Sequence, residues 1–255
     1  MVMPALRVED LGVRYGALVA LDGVSWEVAP GEVLGIIGPN GAGKSTCYDA
    51  STNLVSHGGR VFLDGKDVTS LPPYRLASRG LRRAFQQNAF FGDLTVLENM
   101  INVLRDDYGN KLMSAVFLPA RTSARHRAAV QQAGACLERF GIDRSLHMLK
   151  PTDISYGTQR MLSIALAYGN RPRVLMLDEP AAGLGGADMN RLIDTLHLLK
   201  AESIAMVIIE HHMDLIMSVA DHIVVLDQGR VLANGTPDEI RANPRVLEAY
   251  LGREE

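Results

Sequence analysis

A glycine-rich segment with one lysine contains residue types that could bind phosphate groups. It matches the pattern G-x-x-x-x-G-K-[ST], and its residues are Gly38, Pro39, Asn40, Gly41, Ala42, Gly43, Lys44, Ser45 and Thr46. Glycines allow several backbone N–H groups to point at one oxyanion, and the N-terminus of a following helix favours the same charge. The segment follows the apolar run 33–38 and precedes a predicted helix, which is the context of a phosphate-binding loop.

The lysine and the two hydroxyl residues of this loop have separate predicted roles. Lys44 would reach the β- and γ-phosphates, Ser45 would offer its hydroxyl to Mg²⁺, and Thr46 would contact phosphate or cap the helix. The alternative is a glycine-rich turn with an incidental lysine. The strand predicted before the loop and the helix predicted after it disfavour that alternative.

Two adjacent carboxylates, Asp178 and Glu179, end a second apolar run at 174–177. Phosphoanhydride hydrolysis needs a carboxylate for the metal ion and a group that orients or deprotonates the attacking water. Asp178 would bind Mg²⁺ through its water shell. Glu179 would act on the water, because adjacent residues of a strand end point in opposite directions. An ordinary acidic exit from a strand is the alternative interpretation.

Short strands and helices that alternate along the chain would position these groups. Predicted strands lie at 6–8, 24–28, 33–38, 61–63, 174–177, 205–209 and 223–226. Apolar residues recur at helical spacing from Val130 to Phe140, before a stop signal at Gly141, and again over 189–199. Thr236 and Glu239 fit a capping box around Pro237. The pattern predicts an α/β fold with a parallel sheet, in which both site loops lie at the carboxyl edge.

Composition and charge exclude several classes of protein. The 255 residues are 47% apolar and 22% charged, which is typical of a soluble globular protein. The net charge of −3 gives no overall field for a nucleic acid, and no apolar run approaches the roughly 20 residues of a membrane helix. The N-terminus does not resemble a secretion signal, so we expect a cytoplasmic protein. Cys47 and Cys136 are far apart and are both predicted to be buried.

Two groups of arginines could form a solvated charged face. They are Arg75, Arg79, Arg82 and Arg83, and Arg121, Arg125 and Arg127. Contact with lipid headgroups or with loops of a partner is the alternative.

These motifs resemble the ATP-binding cassette family along essentially the whole chain, where five elements match in order. The resemblance implies a P-loop NTPase with a RecA-like core, an antiparallel β subdomain and an inserted α-helical subdomain. We therefore expect one nucleotide-binding domain over 1–255. Its core and β subdomain would span 1–93 and 161–235, its helical subdomain 94–160, and a C-terminal helical tail 236–255.

The resemblance adds Gln86 and Tyr15 to the nucleotide site. Gln86 would contact the metal ion and the water and sense a transmembrane partner. We choose Gln86 over Gln87 because the spacing from Gln86 to the segment 94–99 is the one that the family shows. Tyr15 would stack on the adenine ring. A solvent-facing glutamine and an edge-strand aromatic residue are the respective alternatives.

The family signature, commonly LSGGQ, corresponds to residues 154–158 of this chain, Ile-Ser-Tyr-Gly-Thr. The resemblance implies that Ser155 and Gly157 meet the γ-phosphate of an ATP held by the opposite subunit, with a helix N-terminus behind them. This arrangement requires a dimer. Thr158 replaces the usual glutamine, which affects a side-chain contact to the nucleotide sugar more than the phosphate contact.

A histidine after the predicted strand 205–209 corresponds to the switch histidine of the family. His211 would hydrogen-bond the γ-phosphate and order Glu179, with His212 as the rival candidate. The family loop that links the two nucleotide sites matches at 182–184, but Gly185 and Gly186 stand where a polar residue and a proline are usual. This departure indicates looser communication between the sites.

Within the family, the chain is similar to the ATP-binding subunits of branched-chain amino acid importers. The matching segments are 71–73, 105–127, 178–184, 232–237 and 243–252. Relatives that import urea or short amides look much alike, so the solute stays open. The resemblance implies ATP and Mg²⁺ as ligands, and closure of a dimer driven by ATP.

Expected partners are a second ATPase subunit, identical or related, and transmembrane permease subunits, with a solute-binding protein acting indirectly. No nucleic acid is expected. The protein would lie on the cytoplasmic face of the inner (plasma) membrane as a peripheral subunit. The alternative functions are a nucleotide-dependent scaffold and a soluble cassette ATPase without a role in transport.

Overall fold

The structure of the chain is a computed structural model that describes residues 3–84, 90–105 and 119–251, with side chains over 3–84, 90–104 and 127–250. The chain divides into two compact units. The first unit comprises Met1–Gln86, Arg173–Gly183 and Leu192–Glu255. The second unit comprises Gln87–Pro172 and Leu184–Arg191.

The described strands all belong to the first unit. They are β1 (Leu6–Tyr15), β2 (Leu18–Val28), β3 (Val33–Ile37), β4 (Gly58–Leu63), β5 (Lys66–Asp67), β6 (Leu81–Ala84), β7 (Val174–Asp178), β8 (Ala205–Ile209), β9 (His222–Asp227) and β10 (Arg230–Gly235).

A mixed sheet forms the centre of the first unit, and its order among the described strands is β10-β9-β3-β8-β7-β6. The strands from β9 to β6 run parallel, and β10 pairs antiparallel with β9. All residues of β3 and β8 are buried, which explains their unbroken apolar sequences. Ile209 at the end of β8 pairs with Ile36 on one side and with Asp178 on the other. These three strands therefore end at one edge.

A second, antiparallel sheet has the order β2-β1-β4-β5. Its buried residues join those of the central sheet in one apolar core that includes Trp26, Cys47 and Tyr48. The Trp26 indole N–H donates a hydrogen bond to the Cys47 sulfur at 3.3 Å. The Tyr48 hydroxyl lies 3.0 Å from the carbonyl oxygens of both Ala84 and Met176. Tyr48 thus joins the first helix to the end of β6 and the middle of β7.

The described helices are α1 (Lys44–Ser51), α2 (Pro73–Ser78), α3 (Val96–Arg105), α4 (Pro119–Arg139), α5 (Tyr156–Tyr168), α6 (Gly186–Ala201), α7 (Met213–Val219), α8 (Pro237–Arg241) and α9 (Pro244–Leu251). Helices α3, α4 and α5 lie in the second unit, and α6 begins there. None of the helices within the described ranges combines the length and hydropathy needed to cross a membrane.

The second unit has an apolar centre of its own. Met100 of α3, Leu137 of α4 and Leu162 of α5 are fully or almost fully buried. The rings of Phe140 and Tyr168 lie 5.2 Å apart at a tilted angle, a favourable arrangement for aromatic pairs. Helix α4 ends at Arg139, two residues before the predicted stop at Gly141.

The predicted strands and the capping box are confirmed. The Thr236 hydroxyl accepts the Glu239 N–H, and the Glu239 carboxylate accepts the Thr236 N–H at 2.8 Å. Cys47 is buried as predicted, but the prediction for Cys136 is wrong, because its side chain is only half-buried. Cys136 lies beside Leu137, at the flank of the helix face that is buried.

Arg83 does not belong to a solvated face. Its side chain is 13% exposed and donates to Asp49 Oδ1 at 2.8 Å. Its guanidinium lies 4.1 Å from the centre of the Tyr48 ring, so packing and an ion pair hold it in the first unit.

The capping box at the start of α8 generates a stability prediction. Thr236→Ala removes the acceptor for the Glu239 N–H, so we expect a loss of about 1 kcal/mol and a melting temperature lower by roughly 2–4 °C. Thr236→Ser keeps the hydroxyl and should melt close to the wild type. Calorimetry of the three proteins measures the difference, and equal melting temperatures for Thr236→Ala and wild type would contradict the assignment.

Candidate active site

Three loops that contain predicted site residues follow adjacent strands of the central sheet. The phosphate loop follows β3, Glu210 and His211 follow β8, and Glu179 follows β7. Since the strands are parallel and in register, the three loops lie side by side at the carboxyl edge. The site therefore gathers residues that are up to 173 positions apart, from Gly38 to His211.

The phosphate loop is fixed at both ends. Gly38 is buried with φ +152°, and a Cβ there would collide with the carbonyl oxygen of Leu226, so only glycine fits. Gly43 is the N-cap of α1, and no side chain caps that end. The first N–H groups of the helix are thus available to an anion. Asn40, Gly41 and Ser45 are exposed, whereas Pro39 and Thr46 are half-buried.

Lys44 folds back onto its own loop. Its ammonium donates to the carbonyl oxygens of Gly38 at 2.7 Å and Pro39 at 3.0 Å. Burial lowers the pKa of Lys44, and the nearby Glu179 and Asp178 carboxylates oppose that change. The ammonium therefore faces both the loop that would bind phosphate and the two acidic residues.

Asp178 and Glu179 form a pair of partly buried carboxylates. Burial and the charge of Glu179 together raise the pKa of Asp178 to about 6, and Arg83 opposes the rise. An excess of negative charge at this point favours a bound cation or proton.

The backbone of Glu179 is in an unusual conformation. Its φ of 45° lies in the left-handed region, which costs a non-glycine residue about 1–2 kcal/mol. The Glu179 N–H donates to the Ile209 carbonyl at 2.8 Å, so the end of β8 helps to hold this conformation. Strained residues of this kind cluster at functional sites.

His211 is the predicted histidine that faces the acidic pair. Its Nδ1 lies 3.6 Å from Glu179 Oε1, and its side chain is 51% exposed. The rival, His212, is the N-cap residue of α7, and its ring lies 4.6 Å from the His211 ring. Proximity to Glu179 favours His211 over His212 for the predicted role.

The predicted signature residues lie in the second unit, at the start of α5. Ser155 is the N-cap residue, and its hydroxyl accepts the Thr158 N–H at 3.3 Å. A Cβ on Gly157 would collide with the Asp188 carboxylate. The Thr158 side chain is buried, and its hydroxyl lies 2.9 Å from the Ser155 hydroxyl. Thr158, which replaces the glutamine usual in the family, is therefore a short polar side chain buried in the second unit.

Tyr15 and Gln86 are the remaining predicted residues of the nucleotide site. Tyr15 ends β1 and is 51% exposed, so its ring is accessible for stacking. Gln86 and its rival Gln87 fall outside the described residues. Strand β6 ends at Ala84, which pairs with Leu177, the residue before Asp178.

Two further residues of this region did not stand out in the sequence. Glu210 is fully buried between the loops after β7 and β8. Tyr250 of α9 has a buried hydroxyl beside the Gly38 peptide group, and burial raises the pKa of Tyr250 to about 12. Acidic residues next to a predicted histidine are common, and a tyrosine 212 positions from Gly38 carries no local signal.

The raised pKa of Asp178 generates a pH prediction for the protein free of nucleotide and metal. Since the folded protein binds this proton more tightly than the unfolded chain, ionisation of Asp178 destabilises the fold as the pH rises from 3.8 to about 6. Asp178→Asn stays neutral. Its melting temperature should match the wild type near pH 4 and exceed it by roughly 2–4 °C at pH 7.

Asp67→Asn is the matched control for this measurement. Hydrogen bonds from Thr69 lower the pKa of Asp67, so its ionised form favours the fold and the variant should melt below the wild type at pH 7. A melting difference for Asp178→Asn that is the same at pH 4 and pH 7 would contradict the interpretation.

Comparison with known proteins gives consistent matches over almost the whole chain. The family pattern described as ABC transporter matches residues 21–182, and that described as branched-chain amino acid ATP-binding cassette transporter matches 230–255.

Two curated relatives are the high-affinity branched-chain amino acid transport ATP-binding proteins BraF of Pseudomonas aeruginosa and LivG of Escherichia coli. The chain is 38% identical to BraF over 251 residues, which cover 98% of each protein. It is 36% identical to LivG over 254 residues, which cover 99% of each.

A solved ATP-binding cassette of an ABC transporter, in its ADP conformation, superposes with a TM-score of 0.83 at 30% identity. The match covers 98% of this chain and 100% of that one. The chain belongs to the ATP-binding cassette transporter family, in the branch of the LivG-like ATP-binding proteins.

Proposed function

We propose that the chain is the ATP-hydrolysing subunit of an importer for branched-chain amino acids or a related small polar solute. The observation that carries this proposal is the convergence of Lys44, Asp178, Glu179 and His211 at one sheet edge. Family membership supports the reaction, and the names of the relatives support the solute class.

The phosphates of ATP bind between the loop backbone and the N-terminus of α1. Lys44 exchanges its bonds to the Gly38 and Pro39 carbonyls for the β- and γ-phosphates. The exposed ring of Tyr15 stacks on the adenine. The loop residues 38–46 thus supply backbone donors, one cation and the two hydroxyls of Ser45 and Thr46.

The residues at the site fit Mg²⁺. Ser45 lies in the first turn of α1 and Asp178 at the end of β7, and their hydroxyl and carboxylate oxygens are ligands that Mg²⁺ prefers. Gln86 is proposed as a further ligand. When bound, the ion neutralises negative charge on the phosphates. Ionised Asp178 is the form that binds it, which is favoured above a pH of about 6.

Glu179 and His211 act on the hydrolytic step. Glu179 accepts the proton of the attacking water or orients that water. His211 donates a hydrogen bond to the γ-phosphate, and its 3.6 Å approach to Glu179 keeps the two side chains together. The water, the γ-phosphate and the two side chains are then arranged for in-line attack.

Two subunits close around two ATP molecules in this proposal. Ser155 and Gly157 of one subunit contact the γ-phosphate held by the partner, and the N-terminus of α5 favours that charge. Because the γ-phosphate bridges both subunits only in the closed dimer, ATP drives closure and hydrolysis releases it. The partner is a second copy or a related subunit.

Closure is transmitted to permease subunits in the membrane, and Gln86 is proposed to sense them. The chain then lies on the cytoplasmic face of the inner (plasma) membrane and receives solute indirectly from a solute-binding protein. Uptake of labelled leucine, compared with urea, by cells with and without the chain distinguishes the solute classes.

Glu179→Gln tests the hydrolytic assignment. The amide cannot accept the proton, so we expect phosphate release to fall by more than roughly 100-fold, while ATP binding persists and an ATP-bound dimer accumulates. Phosphate release and light scattering measure both quantities. Glu27→Gln, an exposed change on β2, should behave like the wild type.

Two outcomes would contradict the proposal. Turnover by Glu179→Gln close to that of the wild type would remove Glu179 from the reaction. An ATP-dependent dimer of the wild type without any turnover would instead support the nucleotide-dependent scaffold.

A further inference from the structure

Glu210 is a fully buried carboxylate directly after β8, with 0% of its surface exposed. A buried charge is costly unless hydrogen bonds satisfy it. Here three backbone N–H groups do so. Glu210 Oε1 accepts from Ala181 at 2.8 Å, and Oε2 accepts from His211 at 2.9 Å and from His212 at 3.0 Å.

The two oxygens of this carboxylate serve different loops. Oε1 holds the loop after β7, two residues beyond Glu179, and Oε2 holds the loop after β8 at His211 itself. A single side chain thus joins the two segments that carry the proposed hydrolytic residues. Both oxygens are engaged, and each hydrogen bond involves a charged acceptor, the stronger class of hydrogen bond.

Both hydrolytic residues need such support. Glu179 has a left-handed backbone conformation with φ 45°, which neighbouring structure must maintain. The His211 ring is half-exposed, and its Nδ1 lies 3.6 Å from Glu179 Oε1 and 3.7 Å from Glu210 Oε2, so Glu210 faces the ring as well as the backbone of this residue. The bonds to Glu210 hold the backbone at 181 and at 211.

A metal site is the competing interpretation of this cluster. Donor atoms of Glu210, His211 and His212 lie within 4.8 Å of one another. However, both Glu210 oxygens already accept backbone N–H groups, and the carboxylate is buried. The Glu210 carboxylate therefore serves as a hydrogen-bond acceptor for backbone N–H groups, not as a metal ligand.

We propose that Glu210 is a positioning residue of the hydrolytic site, which fixes the distance between Glu179 and His211 by holding their two loops together. The inference rests on the proposed function. A shift of His211 toward a γ-phosphate would pull on Ala181 through the same carboxylate, so the two loops would move as one.

Glu210→Gln tests this role with almost no change of volume. The amide retains one acceptor oxygen, and its NH₂ group faces N–H donors of the other loop, so one loop is released. We expect kcat to fall on the order of 10- to 100-fold while the Kd for ATP stays within about two-fold, since the phosphate loop is untouched. Phosphate release and ATP titration measure the two quantities.

A second variant and a control separate positioning from simple loss of fold. Glu210→Asp keeps the charge but shortens the reach, so it should also lower kcat and leave the Kd unchanged, even if Glu210→Gln does not fold. Glu32→Gln alters another carboxylate that accepts a backbone N–H, from Ala29 at 2.7 Å, and should leave kcat unchanged.

The double variant Glu210→Gln/His211→Ala tests whether Glu210 affects kcat through His211 or independently of it. If Glu210 acts through the loop of His211, the double variant should lose little more kcat than His211→Ala alone. Losses that multiply would overturn the inference.

The results also separate this inference from the proposed function. If wild type turns over and Glu179→Gln does not, but the folded Glu210 variants keep wild-type kcat, only the positioning role is wrong. If wild type shows no turnover, the proposed function fails and the inference fails with it.

Discussion

The parallel register of β3, β8 and β7 is the constraint on which the rest of the site depends. Ile209 pairs with Ile36 and with Asp178, so three loops leave the sheet at the same level. The strands are almost entirely buried, and their ladder hydrogen bonds and apolar packing fix them. The register therefore brings side chains from distant parts of the sequence to one edge, where Glu210 joins the loops after β7 and β8.

The strand register also brings charged side chains of both signs together at the carboxyl edge of the central sheet. Lys44 is one cation near Asp178 and Glu179, and its ammonium also donates to loop carbonyls. The raised pKa of Asp178 reflects burial and the adjacent Glu179. The charge of Glu210 adds to that repulsion, while three backbone N–H groups donate to its carboxylate and stabilise it. The edge is thus suited to ligands that combine phosphate with a metal cation.

Much of the fold could be predicted from the sequence, because its signals are local. The apolar runs of β3, β7, β8 and β9, the glycine-rich loop and the Thr236 capping box each lie within a few residues. The family and its branch were also recognisable. The roles of the individual site residues remain predictions, and Gln86 lies outside the described residues.

Contacts between distant residues could not be predicted in this way. Glu210 meets Ala181 across 29 positions, and Arg83 meets Asp49 across 34. The half-buried side chain of Cys136 depends on which helix face turns inward. These features arise from tertiary packing.

A crystal structure of the Glu179→Gln variant with Mg²⁺ and ATP tests the central claim most directly. The account predicts that the Lys44 ammonium leaves the carbonyls of Gly38 and Pro39 for the β- and γ-phosphates. It also predicts that Asp178 faces the ion and His211 the γ-phosphate. A nucleotide bound elsewhere, with Lys44 still on its loop carbonyls, would contradict the account.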